Sequence, residues 1–256
     1  MTSSDHRRAN VPAGIKVIVV SDADILAKAA ADRVAARIAA NNGRAAICLT
    51  GGSSPKALYR LLASEAYRDQ LPWERVHWFI GDERFVAGDD PLNNMGVARR
   101  LFLDRYAPAA NIHPIPTDAD DPEQAARYYE HELKSFYGAD GLDPSRPLFD
   151  LVLMGVGPDG HTASLFPNDP ALDEKARWVV GVPQAPVAPL VPRVTLTLPA
   201  LNSCREMLFE VAGAEKRAIL TRVLAGENLP SNRAQANGET IWLVDKAALP
   251  ENFREQ

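Results

Sequence analysis

Residues 155–167 read Gly-Val-Gly-Pro-Asp-Gly-His-Thr-Ala-Ser-Leu-Phe-Pro, and they directly follow the apolar run 149–154, which reads Phe-Asp-Leu-Val-Leu-Met. The apolar run is typical of a buried strand. Three glycines within six residues allow the backbone to turn sharply and to approach a ligand closely. Ligands in open α/β sheets bind beyond the carboxyl ends of strands. Because this loop also offers an acid, an imidazole and two hydroxyls, we predict a functional site here rather than a structural turn.

The composition indicates a globular α/β protein without a strong charge bias. The chain has 256 residues, of which 46% are hydrophobic, and it has no apolar run near the roughly 18 residues that would span a bilayer. Its 28 basic and 33 acidic residues give a formal net charge of -5, which argues against general binding to nucleic acid or to an anionic membrane. We predict a flexible tail over residues 1–14, which lacks the apolar core of a signal peptide, and a single α/β catalytic domain over residues 15–256.

The two cysteines, Cys48 and Cys204, both lie in apolar segments. Neither has the spacing of a metal ligand, so both are predicted to be reduced core residues. Reduced cysteines are typical of cytosolic proteins. We therefore expect a cytoplasmic location.

Predicted strands and helices alternate along the whole chain. Alternation of this kind favours a three-layer α/β fold, with a mostly parallel open sheet and helices on both faces. The strands are predicted at residues 15–20, 45–50, 75–80, 149–154, 177–182, 193–199, 206–211 and 240–244.

The loop after the second predicted strand has the features of an anion site. It reads Gly51-Gly52-Ser53-Ser54, with Ser54 suited to the N-cap of a helix and Pro55 to its first position. Free backbone N–H groups and the helix dipole bind anions at such a helix start. The spacing matches neither a Walker A loop nor a dinucleotide fingerprint, so a monophosphate is the expected ligand.

Two further segments add polar or irregular structure after predicted strands. Asp82-Glu83-Arg84 follows the third strand, and an arginine there can form a forked pair of hydrogen bonds to a phosphate or a carboxylate. Residues 183–192 contain four prolines, which exclude regular helix and central strand and predict a lid or a crossing segment. Of the nearby histidines, His77 is predicted to be packed and His113 to lie at the surface.

Four motifs together resemble those of the 6-phosphogluconolactonase family, over residues 15–249. The glycine-serine loop is shared with sugar-phosphate isomerases and deaminases of the same superfamily, whereas the run 159–167 is more specific. Ser54 replaces a frequent threonine and Asn93 a frequent serine, and both keep a polar side chain. The motifs are Gly51-Gly52-Ser53, Asp82-Glu83-Arg84, Asp159-Gly160-His161-Thr162-Ala163-Ser164-Leu165-Phe166-Pro167 and Arg193-Val194-Thr195-Leu196-Thr197-Leu198-Pro199.

The resemblance implies hydrolysis of 6-phosphoglucono-δ-lactone in the oxidative pentose phosphate pathway. It implies that the reaction needs no metal and no other cofactor. It also implies a sheet architecture like that of glucosamine-6-phosphate deaminase and ribose-5-phosphate isomerase. We expect a monomer or a weak homodimer that binds a small sugar-phosphate lactone.

Hydrolysis of a lactone needs a base, a nucleophile and stabilisation of an oxyanion. We predict that His161 is the general base on water, since an imidazole is largely neutral at cytosolic pH, and that Asp159 orients His161 or the substrate. The oxyanion would be stabilised by backbone N–H groups of the glycine turns or by Arg84. The residues predicted to contact the substrate or its phosphate are Gly51, Gly52, Ser53, Ser54, Arg84, Gly157, Gly160, Arg193 and Lys216.

Three alternatives compete with this prediction. Ser164 could be the nucleophile, but no Gly-x-Ser-x-Gly elbow surrounds it. An amino-sugar phosphate deaminase-isomerase would carry a catalytic glutamate in a segment corresponding to residues 162–167, which contain no acid. A non-catalytic sugar-phosphate sensor would not need His161, and would usually carry a further module, for which we find no separate segment.

Overall fold

The computed structural model of the protein describes residues 14–251 and residue 253. These residues contain nine strands. The strands are β1 (Ile15–Val20), β2 (Ala45–Leu49), β3 (Val76–Ile80), β4 (Asp82–Arg84), β5 (Leu151–Met154), β6 (Val179–Val182), β7 (Arg193–Leu196), β8 (Glu206–Val211) and β9 (Glu239–Asp245). Six of them form one sheet in the order β1-β9-β8-β5-β2-β3, and all its pairings are parallel. The other three form an antiparallel sheet in the order β4-β7-β6.

The central strands of the parallel sheet are apolar because helices or loops cover them on both faces. Every residue of β2 and of β5 is buried. The core includes the large side chains Trp78, Phe79, Phe209 and Trp242, which are all buried at 0% exposure. Phe209 of β8 stacks on Trp242 of β9, with ring centroids 4.1 Å apart.

Nine α-helices connect and flank these strands in the described part of the chain. The first begins at the N-cap Asp22, whose side chain accepts a hydrogen bond from the Ile25 N–H at 2.9 Å. The helices are α1 (Ala23–Ala39), α2 (Pro55–Leu62), α3 (Glu65–Arg68), α4 (Asn94–Ala98), α5 (Asp104–Tyr106), α6 (Pro122–Tyr137), α7 (Leu198–Asn202), α8 (Arg217–Leu224) and α9 (Pro230–Arg233). Helix α1 contacts β1, β2, β8 and β9, whereas α6 contacts β6 and β7 of the small sheet.

The order of the parallel strands reverses between β2 and β5. After β2 the chain crosses outward to β3, and after β5 it crosses the other way to β8. Right-handed crossovers place these two connections on opposite faces of the sheet. A crevice therefore opens beyond the carboxyl ends of β2 and β5, which is where ligands bind in open α/β sheets.

The predicted α/β class with a mostly parallel sheet is confirmed. The small antiparallel sheet was not predicted: residues 82–84 form an edge strand rather than a loop, and β6 and β7 lie outside the parallel sheet. The prediction for His113 was wrong, because this residue is only 8% exposed. Its ring stacks on Phe79, and its Nδ1 lies 2.7 Å from Glu132 Oε1.

The predicted tail falls almost entirely outside the described residues, which start at Gly14. Within the described part of the chain, no helix combines the length and the apolar character needed to cross a bilayer.

Candidate active site

A cavity of about 250 Å³ lies at the switch point between β2 and β5. Its walls come from the loops after β2 and β5, from the small sheet, from the proline-rich segment 183–192 and from the end of β8. The cavity lining includes Thr50, Gly51, Gly52, Ser53, Ser54, Asp82, Arg84, Asn94, Gly157, His161, Ser164, Val187, Ala188, Arg193, Glu210 and Lys216.

The loop between β2 and α2 forms one wall of the cavity. Ser54 occupies the N-cap of α2 and Pro55 its first turn, as the sequence predicts, but the Ser54 hydroxyl makes no capping hydrogen bond. Gly52 has φ of +96° with open space where a Cβ would project. This conformation disfavours any side chain, so Gly52 keeps the backbone of the loop accessible at the start of the helix. A helix start of this kind suits an anion.

His161 is held by Asp159, two residues earlier in the same loop. Its Nδ1 lies 2.5 Å from Asp159 Oδ1, and its backbone N–H donates to the same oxygen at 3.1 Å. Burial alone would raise the pKa of Asp159, but the hydrogen bond from the His161 amide and the attraction of its imidazole lower that pKa below the usual value. Since an ionised carboxylate only accepts hydrogen bonds, Nδ1 is the donor, and the neutral ring presents Nε2 as an acceptor.

The backbone under His161 allows no side chain at residue 157. A Cβ on Gly157 would lie 2.0 Å from the His161 ring, so only glycine lets the imidazole lie across this turn. The Gly157 N–H donates to the His161 carbonyl at 2.8 Å, and Phe166 packs against the ring with centroids 4.9 Å apart. These contacts fix the orientation of the imidazole before any ligand binds.

Two arginines face each other across the small sheet. Arg84 of β4 pairs directly with Arg193 of β7, and both line the cavity. Burial lowers the pKa of Arg193, and the nearby positive charge of Arg84 also lowers it, against the opposing attraction of Asp82 and Glu83. Like charges directly opposite each other destabilise a sheet, so this pair indicates that an anion belongs between or beside the two guanidinium groups.

Other contacts of these cations anchor the surrounding segments. Arg193 is 4% exposed and donates to the carbonyls of Val191 at 3.1 Å and Pro189 at 2.6 Å. Lys216 donates from Nζ to the Val156 carbonyl at 2.8 Å, and burial lowers its pKa below the usual lysine value. The cavity is therefore rich in positive charge although the whole chain has a net charge of -5.

Glu83 explains why residues 82–84 are not a solvated turn. Its carboxylate is fully buried and accepts from the backbone N–H groups of Asn94 at 2.6 Å and Met95 at 2.8 Å. These are the free donors at the start of α4. Glu83 thereby fixes β4 against α4, and it positions Arg84 at the edge of the cavity.

The hydroxyl of Ser164 is engaged by an acid rather than by an imidazole. Ser164 is 1% exposed and donates from Oγ to Asp82 Oδ2 at 2.6 Å. A serine nucleophile is normally activated by hydrogen bonding to a base such as histidine. No hydrogen bond joins Ser164 to His161 among the described residues, which disfavours the serine mechanism.

Most residues that the sequence singles out lie around this one cavity. Asp159 and Gly160 are not part of its wall. Asp159 contacts His161. Gly160 packs against Leu229, and its carbonyl accepts a hydrogen bond from the Ser231 N–H at 3.1 Å. The predicted residues that line the cavity are Gly51, Gly52, Ser53, Ser54, Arg84, Gly157, His161, Arg193 and Lys216.

Sequence reasoning missed Asp82, Asn94 and Glu210 as lining residues. Asp82 belongs to a motif of which only the arginine was assigned a role. Glu210 stood out in principle, since it is the one acid inside the apolar run 207–211. Asn94 gave no signal, because its place beside Gly51 depends on a tertiary contact.

Across residues 14–251, no group of three or more His, Cys, Asp or Glu side chains has an arrangement that could hold a metal ion. Both cysteines are buried and free, as the sequence predicts.

Comparisons with known proteins match nearly the whole of this fold. The family model described as glucosamine-6-phosphate isomerases/6-phosphogluconolactonase matches residues 21–242. The 6-phosphogluconolactonase of Synechocystis is 45% identical over 221 residues, which are 84% of this chain and 87% of that protein. The human 6-phosphogluconolactonase is 36% identical and covers 87% of this chain, with 86% of its own length matched.

A solved structure shows the same likeness. The crystal structure of 6-phosphogluconolactonase from Thermotoga maritima superposes with a TM-score of 0.78 at 30% identity, covering 91% of this chain and 100% of that chain. The match of the family model over most of the chain and the identity to these relatives together establish the relationship. This chain belongs to the glucosamine-6-phosphate isomerase/6-phosphogluconolactonase family.

Proposed function

We propose that this protein is a 6-phosphogluconolactonase that hydrolyses 6-phospho-D-glucono-1,5-lactone to 6-phospho-D-gluconate in the oxidative pentose phosphate pathway. The observation that carries the proposal is an oriented imidazole in a cationic cavity: His161 Nδ1 lies 2.5 Å from Asp159, and Arg84, Arg193 and Lys216 line the same cavity. The relatives carry this name. The cations and the glycine loop suit a phosphate, and the imidazole suits ester hydrolysis.

In the proposed mechanism, water attacks the lactone carbonyl carbon while His161 Nε2 takes its proton. Asp159 keeps Nδ1 protonated and stabilises the imidazolium that forms. The carbonyl oxygen becomes an oxyanion, which Arg84 or backbone N–H groups of the glycine turns stabilise. The tetrahedral intermediate then expels the ring oxygen, and the imidazolium returns its proton to that oxygen. The ring opens to the hydroxy acid without net change at His161.

The phosphate of the substrate is assigned to the wall formed by residues 51–54, with Lys216 and Arg193 as its cationic ligands. Arg84 is shared between the two roles, because it pairs with Arg193 and is less buried than its partner.

We also propose a cytoplasmic location, supported by two buried free cysteines. A monomer or a weak homodimer is the proposed assembly, and the reaction as proposed uses no cofactor.

The direct test follows acid release from freshly made 6-phosphogluconolactone, with unphosphorylated gluconolactone as the control and the spontaneous opening subtracted. We expect rapid turnover of the phosphorylated lactone and much slower turnover of the plain one. Equal rates for the two would contradict the phosphate site, and no rate above background would overturn the function.

The same enzyme sample separates the alternatives. Release of ammonia from glucosamine-6-phosphate would favour a deaminase. Acid quenching during turnover, followed by mass spectrometry of the intact protein, should find no covalent adduct, because water is the first nucleophile. A covalent adduct on Ser164 would instead assign the attack to that hydroxyl, with His161 or Asp82 as its base.

A further inference from the structure

Glu210 is a buried acid that the mechanism above does not use. It lies near the carboxyl end of β8, opposite Leu243 of β9, and borders the cavity. Its side chain shares a face of the strand with that of Glu206, because side chains alternate along a strand. The residue is only 2% exposed.

Neither carboxyl oxygen of Glu210 has a hydrogen-bond partner among the described residues. Buried polar groups in folded proteins are nearly always hydrogen-bonded, and an unpaired buried charge is strongly unfavourable. Burial accordingly raises the pKa of Glu210 from 4.5 to about 8. At neutral pH the side chain is an uncharged acid with one O–H donor that no group in the described part of the chain accepts.

The neighbours that could have satisfied Glu210 are committed elsewhere. Tyr59 of α2 is close enough that, after burial, the charge of Glu210 contributes to its raised pKa. Yet its hydroxyl already donates to the Thr50 carbonyl at 2.7 Å and accepts from the Thr50 N–H at 3.1 Å. Lys216 donates to the Val156 carbonyl. The other titratable groups that face this region are Cys48, Asp82, Arg84, His161 and Arg193.

Glu210 lines the same cavity as residues 51–54 and Lys216, which form the proposed phosphate wall. Thr50 immediately precedes the loop 51–54, and Lys216 follows the end of β8 by five residues. Glu210 therefore shares its cavity with both parts of the proposed phosphate site. A phosphate dianion accepts hydrogen bonds and repels a carboxylate, so only the uncharged acid is compatible with it here.

We propose that Glu210 is a specificity-determining residue whose uncharged carboxyl donates a hydrogen bond to a phosphate oxygen of the bound sugar phosphate. The inference rests on the phosphorylated substrate proposed above. Its consequence is a site that loses affinity for phosphate in mild alkali: ionisation of Glu210 removes the donor and places a negative charge against the dianion.

The experiment measures the Kd of 6-phosphogluconate between pH 7 and pH 9.5 by calorimetry, with gluconate as the unphosphorylated control. A phosphate monoester remains a dianion over this range, because its second pKa is about 6. The variants are Glu210→Gln, which keeps a donor and cannot ionise, and Glu210→Leu, which has no donor. Glu74→Gln is the matched control, since it removes a negative charge from an exposed residue that does not line the cavity.

We expect the wild-type Kd to rise by about tenfold per pH unit above the ionisation of Glu210. The Kd of Glu210→Gln should lack this tenfold rise. It should change with pH only through the deprotonation of Lys216, which occurs in every variant. Glu210→Leu should bind about ten- to a hundredfold more weakly at pH 7, the loss expected for a hydrogen bond to a charged group. Glu74→Gln should follow the wild type.

Three outcomes would overturn the inference. If Glu210→Gln keeps the wild-type pH dependence, Glu210 does not contact the phosphate, and this comparison stands even if Glu210→Leu fails to fold. If the variants weaken gluconate as much as 6-phosphogluconate, the carboxyl contacts the sugar instead. If the wild type binds no 6-phosphogluconate at any pH, the proposed function falls as well, which separates that failure from the first two.

Discussion

Glu206 and Glu210 lie four residues apart on the same face of β8, yet their surroundings are opposite. Both are nearly fully buried, at 1% and 2% exposure. Glu206 accepts hydrogen bonds from Arg33 and Arg37 of α1, whereas Glu210 has no partner among the described residues. One strand thus holds a paired acid at its amino end and an unpaired acid at its carboxyl end.

The same contrast extends across the parallel sheet. At the amino ends of the strands, polar groups satisfy one another: Asp150 accepts from the Ala46 N–H at 2.8 Å and from Arg205 at 3.2 Å. Around the cavity at the carboxyl ends, Arg84 and Arg193 of the small antiparallel sheet stand opposite each other with like charge. Polar groups that are satisfied within the protein stabilise the fold, and those left with unmet charge are completed by a ligand. The predictions below test this division.

Replacing His161 with Ala should have the largest effect, and it should fall on activity alone. Loss of the base should lower kcat for the phosphorylated lactone by about a hundred- to ten-thousandfold. The ring contacts Asp159 and Phe166 of its own loop, and its side chain is 20% exposed, so the free energy of unfolding should change by less than about 1 kcal/mol. Acid release, corrected for spontaneous opening, and urea unfolding measure the two quantities. A variant with near wild-type kcat would remove His161 from its role.

Replacing Glu206 with Gln should do the reverse. The change leaves Arg33 and Arg37 with only the more exposed Glu239 as a carboxylate partner, and breaking a buried ion pair costs about 3–5 kcal/mol. The arginine side chains keep 26% and 29% exposure, so a loss of about 2–3 kcal/mol in the free energy of unfolding is expected. Below the unfolding transition, kcat/KM should match the wild type. A large loss of activity in the folded variant would show that the amino ends of the strands contribute to activity as well as to stability.

Replacing Lys216 or Arg193 with Ala should weaken preference for the phosphorylated lactone. Each change removes a charged ligand, so kcat/KM for that substrate should fall by about ten- to a hundredfold while the plain lactone is barely affected. Arg205→Ala is the matched control, because Arg205 pairs with Asp150 at the amino end. If the Lys216 and Arg193 variants both keep the full preference for the phosphorylated lactone, the phosphate lies elsewhere.

The smallest effect concerns stability and Glu210. The pKa of Glu210 is raised in the folded state to about 8. The stability that the protonated acid contributes is therefore fully present below its unfolded pKa, and it is lost as the pH rises towards the folded pKa. Between pH 5.5 and pH 6.5, the wild type should lose about 1 kcal/mol relative to Glu210→Gln. Urea unfolding at the two pH values checks this. A constant difference would show that Glu210 is ionised or solvated in the folded protein.

Sequence patterns were sufficient for the parallel sheet because its strands are locally apolar and its turns carry glycine. They were insufficient for the small sheet, since β4 is only three residues long and polar. Its identity as a strand depends on pairing with β7, more than a hundred residues later. Such pairing is a tertiary property that no local propensity carries.

The candidate site was predictable where its residues share a loop and unpredictable where they meet only in space. His161 and Asp159 are neighbours in sequence, so their pairing could be anticipated. The pairing of Arg84 with Arg193 and the isolation of Glu210 could not be, because both depend on which strands become neighbours.

The spread of the cavity along the chain has a consequence for folding. Its walls run from Thr50 after β2 to Lys216 after β8, so they join only when distant parallel strands have paired. Contacts of such high sequence separation form slowly, because the entropy of closing long loops is lost before the contacts compensate for it. Recovery of lactonase activity should therefore report completion of the whole sheet, and helical signal should return ahead of it during refolding.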